Sequence, residues 1–219
     1  MSLKAPPGQA ARLALQVALG LQSALILYAL ASLALDPLNA FSLWTAVASG
    51  LSALLLGSQR ALLRELFLGR GIEEFDERLR RFRALFPWVL GMGAAQLLLL
   101  TLLFLADPVR DGAQHPVATL LFIVAGGASL YASLGTFRAL ARGFTSPQDL
   151  GVRAGLQEWL VRNIIAGGVF FLMNLATSLQ LEGSWSWPRL LPSALYVVLG
   201  VLDVALPFLT RQALGLKRP

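Results

Sequence analysis

Six apolar stretches divide the chain, at 13–35, 41–59, 86–106, 116–137, 163–181 and 190–210, and positive charge is confined almost wholly to every second gap between them. Each stretch is near the roughly 20 residues that a helix needs to cross a bilayer. Of the 18 Lys and Arg, sixteen lie in the N-terminal segment, the second gap, the fourth gap and the C-terminal segment. Only Arg110 and Arg189 fall elsewhere. Because Lys and Arg are retained on the cytoplasmic side, the alternation predicts both termini on that face. The expected fold is all-α. Residues 1–219 form one integral membrane domain, polytopic, with six transmembrane helices arranged as three hairpins.

Composition narrows the function classes. A chain that is 56% hydrophobic and 14% charged departs far from soluble-domain averages. The net charge of +6 lies beside spans, where it meets anionic lipid headgroups, so nucleic acid is not an expected partner. Cysteine is absent and His115 is the one histidine, which removes thiolate catalysis, thiolate metal sites and a bis-histidine haem from the options. The first apolar stretch is too long for a signal-peptide core and is expected to be a retained span.

Local patterns add detail. The exits of the even spans read alike: Ser58 to Arg64 (SQRALLR), Thr136 to Arg142 (TFRALAR) and Thr210 to Lys217 (TRQALGLK). Asp36-Pro37 and Asp107-Pro108 end the first two odd spans, where proline stops a helix at a chain reversal. One amide lies mid-span in each odd stretch, at Gln22, Gln96 and Asn174. Together these predict a threefold hairpin repeat. Between Ile72 and Phe86 the apolar residues recur at three and four, with Phe75, Leu79 and Phe82 on one face and acid–base pairs four apart on the other. That pattern predicts an amphipathic surface helix over 72–85, broken from the second span by Gly69 and Gly71. A second inner helix is expected after Ser146 as cap and Pro147 at the first position.

Asp203 is the one acid inside a span, and Pro207 frees its backbone carbonyl by withholding the amide proton four residues on. A charge at that depth is costly to bury, so Asp203 is expected to face the bundle with a partner. Gln22 and Gln96 are the expected hydrogen-bonding partners of a protonated Asp203 that ties helices together, with Asn174 slightly further outward. These four residues are the candidate ligand, proton or ion site. No catalytic residue and no metal ligand is expected, and no cofactor is named by the sequence. Small residues four apart, such as Gly91 and Ala95, mark close helix packing.

The run from Thr136 to Pro147 (TFRALARGFTSP), followed by a new apolar hairpin, resembles an uncharacterised family of cyanobacterial and plastid multi-span membrane proteins. The resemblance covers about a quarter of the chain and implies a photosynthetic-type membrane, with the termini on the cytoplasmic or stromal-equivalent side. The closing helix with Asp203 and Pro207 departs from that family's Asn-rich segment. The expected function is non-enzymatic: an integral accessory or scaffolding subunit, its partners membrane lipids and other membrane subunits or itself. The alternative is a small transporter, channel or substrate-binding membrane subunit that uses Asp203.

Overall fold

A computed structural model describes residues 8–35, 39–106, 116–181 and 187–215. The described residues contain six helices: α1 (Gln9–Leu35), α2 (Ala40–Phe67), α3 (Glu77–Ala106), α4 (Pro116–Thr145), α5 (Leu150–Leu181) and α6 (Trp187–Ala213). No strand occurs among the described residues. Five helices are long and apolar enough to cross a membrane, and by that measure this is a membrane protein. The other is α5, whose first half carries Arg153, Glu158 and Arg162. Large apolar side chains such as Leu54, Leu98, Val124 and Leu172 stay exposed along the helices, more apolar surface than water-soluble proteins usually present.

The helices pack in chain order as a closed ring. Each touches its sequence neighbours, and α6 returns to α1. The chain runs up and down, so α2 and α4 end, and α3 and α5 begin, at one charged end. Burial concentrates there. Leu62 and Leu63 on α2, Leu79 and Phe82 on α3, Phe144 on α4 and Leu156 on α5 are all at most 1% exposed. At this end the helices run past the apolar stretches, so the hydrophobic effect of water drives leucine and phenylalanine together. Within a bilayer that drive is missing, and packing rests on shape and small residues.

Backbone bonds tie the two loops at the charged end to each other. The Ile72 amide donates to the Phe144 carbonyl at 2.8 Å, and Gln148 Nε2 donates to the Gly69 carbonyl at 3.2 Å. Gly69 takes a positive φ of 65° where α2 ends, the left-handed conformation that suits glycine in a helix C-cap. A Cβ at Gly71 would come 3.1 Å from the Thr145 carbonyl oxygen, so the absence of a side chain there eases the close approach of the two loops.

The expected surface helix over 72–85 is not a separate element. Residues 72–76 are turn and loop, and 77–86 are the opening turns of α3, which passes through Pro87 without ending. Of the apolar face, Leu79, Phe82 and Phe86 are buried against the bundle, whereas Phe75 departs from it and is 92% exposed on the loop. Pro87 did not break the helix because it removes only one amide proton, and neighbouring turns carry the rest. The cap of α3 is Asp76, whose carboxylate accepts the Arg78 amide at 2.8 Å and pairs with its guanidinium. Likewise, α5 starts at Leu150 and runs unbroken into its apolar half. Its cap is Asp149 rather than Ser146: Asp149 Oδ1 accepts the amides of Gly151 and Val152 at 2.7 and 3.1 Å. The side chain of Leu150 is 80% exposed. The outer turns at 36–38, 107–115 and 182–186 lie outside the described residues.

Candidate functional site

All six helices contribute to one cavity of about 370 Å³ at the middle of the ring. Its wall on α6 is a single stripe: Tyr196, Leu199, Asp203, Leu206, Pro207 and Thr210 all line it. Steps of three and four keep such residues on one side of a helix, with Tyr196, Asp203 and Thr210 seven apart. The stripe on α2 has the same form, from Ser52 through Leu55 and Leu56 to Gln59. On α4 the lining residues include Ser129, Ser133 and Thr136, and on α5 Asn163, Phe170 and Phe171.

Two of the polar walls are braced before any ligand arrives. Ser133 Oγ donates to Asn163 Oδ1 at 3.4 Å, and Thr136 Oγ1 donates to the Trp159 carbonyl at 3.0 Å. Both bonds cross from α4 to α5, and glycine makes the approach possible. A Cβ at Gly135 would fall 2.0 Å from the Trp159 ring. Ser52 Oγ is turned back onto its own helix, donating to the Ala48 carbonyl at 2.8 Å. Toward the charged end the wall becomes aromatic. Phe86 and Phe137 stack with ring centroids 3.6 Å apart, Phe82 lies 4.7 Å from Phe137, and Phe144 closes against Phe82 at 5.5 Å. The buried leucines Leu62, Leu63, Leu79 and Leu156 pack in the same core as these rings.

Asp203 is the one formally charged group in the lining. Asp203 is exposed, and because it lines the cavity that exposure is toward the cavity. Among the described residues its carboxylate has neither an ion-pair partner nor a hydrogen-bond donor. Phe171 packs close against α6 one turn away, where a Cβ at Gly200 would fall 2.0 Å from the ring. No Lys or Arg lines the cavity. No group of three or more His, Cys, Asp or Glu gathers among the described residues to hold a metal ion.

The other expected site residues are placed apart from Asp203. Gln22 turns to α2, where its Nε2 lies 2.9 Å from the place a Cβ on Gly57 would take, and it does not line the cavity. Gln96 is exposed on α3. The two therefore have different surroundings, contrary to the equivalence that a threefold repeat expects. Asn174 belongs to α5, but its side chain lies outside the described residues. Tight packing around Asp203, with an amide partner, is thus replaced by a cavity. Sequence reasoning missed Asn163, Gln59, Tyr196 and Thr210. The signal available was the sevenfold spacing of polar residues about Asp203, which marks one face of α6. No family model matches the chain, and no curated protein or solved structure does either.

Proposed function

We propose that this chain is a small transporter, or the substrate-binding membrane subunit of one, and that Asp203 holds or exchanges the bound species. One observation carries the reading. An acid within the apolar run of α6 lines a cavity to which all six helices contribute, and it has no protein partner among the described residues. A carboxylate kept only to tie helices together would be packed against its donor, because an unpaired charge at that depth destabilises the fold without compensation. A site that waits for a proton or a ligand has a reason to leave the acid open. The cavity also falls within the roughly 300–1,000 Å³ typical of small-molecule sites, with an apolar lining and a few convergent polar groups.

In this reading α5 is the sixth span, through its apolar half, and the charged end faces the cytoplasm. The buried residues Leu62, Leu79, Phe82 and Phe144 then lie toward that side. The scaffold reading rests on the exposed apolar faces of α3 and α4, which lipid covers equally well.

The test is purification of the full chain in mild detergent, with mass analysis of co-purifying small molecules and proteins. The expected outcome is a small molecule carried by the wild type and depleted in Asp203→Asn. A stoichiometric membrane-protein partner retained equally by both, with no small molecule in either, would instead favour the scaffold.

A further inference from the structure

Resting on the binding role proposed above, we infer that the cavity selects an organic monocation, a protonated amine or similar group on an apolar body. The charge balance of the wall points there first. Asp203 contributes a carboxylate, and no Lys, Arg or His in the lining offsets it. A carboxylate or phosphate ligand would meet a like charge with no base to hold it, which is strongly unfavourable in a low-dielectric site. A divalent ion would need several oxygen ligands, commonly more than one of them a carboxylate, and the wall supplies one carboxylate.

The hydrogen-bonding character of Asp203 agrees. As a carboxylate in the lining it accepts and does not donate. An ammonium group donates up to three hydrogen bonds and accepts none, which complements it. The carboxylate bond is charge-assisted, the stronger kind.

The rest of the wall fits the body of the ligand. The Phe171 ring lies on the Gly200 backbone, one turn from Asp203. Phe171 and Asp203 line the same cavity, and an aromatic ring in that wall attracts a cation that meets its face. Further into the cavity the rings of Phe82, Phe86 and Phe137 give the apolar wall against which a hydrocarbon or aromatic body packs.

The experiment compares three near-isosteric probes on the same sample of the full chain in detergent micelles, by ligand-observed NMR titration. The probes are 2-phenylethylamine (cation), 2-phenylethanol (neutral) and phenylacetate (anion). The wild type is expected to bind the amine at least about tenfold more tightly than the alcohol, with phenylacetate weakest, the size of one charge-assisted hydrogen bond. In Asp203→Asn the amine-to-alcohol ratio should collapse toward one. Because it is a ratio within one preparation, partial misfolding of the variant does not mimic it. Phe171→Leu should lower the same ratio several-fold while sparing the carboxylate. Equal binding of amine and alcohol by the wild type overturns the cation inference but leaves the binding role standing. Binding of none of the three at millimolar concentration, together with no co-purifying small molecule, overturns both. An amine preference that survives Asp203→Asn also overturns the inference, since the charge would then lie elsewhere.

Discussion

Replacing Gly135 by alanine tests how closely α4 and α5 must approach to form the cavity wall. The new Cβ would stand 2.0, 2.1 and 2.3 Å from Cε3, Cζ3 and Cδ2 of Trp159. Ordinary carbon contacts begin near 3.5 Å, so about 1.5 Å must be found. The indole cannot readily turn away. Tyr131 meets it edge-on with centroids 5.4 Å apart, and the Arg162 guanidinium lies 4.7 Å from its centre. The helices must therefore part, which strains the Thr136 to Trp159 carbonyl bond on the same seam. Overpacking of this kind costs about 1–3 kcal/mol, and the loss of one hydrogen bond adds about 0.5–1.5 kcal/mol. Alanine in a helix returns about 0.5–1 kcal/mol relative to glycine. The net is a destabilisation of about 0.5–4 kcal/mol, centred near 2 kcal/mol.

The internal control is Gly155→Ala on α5, where nothing lies within 4 Å of the new Cβ and only the helical gain applies. Unfolding by sodium dodecyl sulfate in micelles, followed by the loss of helical circular dichroism, should rank the variants Gly155→Ala, wild type, Gly135→Ala. Trimming the ring in a Gly135→Ala/Trp159→Leu double variant should recover part of the loss, with a coupling energy of about 0.5–3 kcal/mol. Equal stability of the two glycine variants would show that α4 and α5 are not held at this distance, and the braced wall would fall with it.

Two further outcomes follow from the charged end. Asp76→Ala should lower stability by about 0.5–1 kcal/mol, because the carboxylate caps α3 on the Arg78 amide. The hydrogen bond and charge of Arg78 hold the Asp76 carboxyl below the usual carboxylate range. Its contribution is therefore present above that range and is lost as the pH falls through the lowered value, and it is small because the pair is near the surface. Titration of the carboxyl by NMR should find it depressed; an unshifted value would refute the pairing. For orientation, cysteines introduced at 74 and 150 should react with an impermeant maleimide only after the cytoplasmic face is opened. Reaction at either position in sealed cells would reverse the proposed topology.

Sequence alone determined the helical elements and the membrane class. Period and length are local properties, since a helix satisfies its own backbone and the apolar runs of residues such as 13–35 and 190–210 leave no other way to cross lipid. Glycine at 69 also declared itself locally, as the residue that can take a positive φ at the end of α2. The continuity of α3 and α5 was less legible. An amphipathic pattern such as Leu79, Phe82 and Phe86 has the same period whether its apolar face meets lipid or the core, and only packing against Phe137 and Phe144 decides between them. The site was least legible of all. Asp203 could be singled out as a buried acid, but its neighbours come from five other helices. The ring closure of α6 onto α1 brings Ser52, Gln59, Ser133 and Asn163 around one cavity while Gln22 turns to Gly57 and Gln96 to the outside. Helix rotation fixes which side chain points inward, and rotation is set by glycine contacts such as Gly135 with Trp159 and Gly200 with Phe171, pairs far apart in sequence that no local pattern encodes.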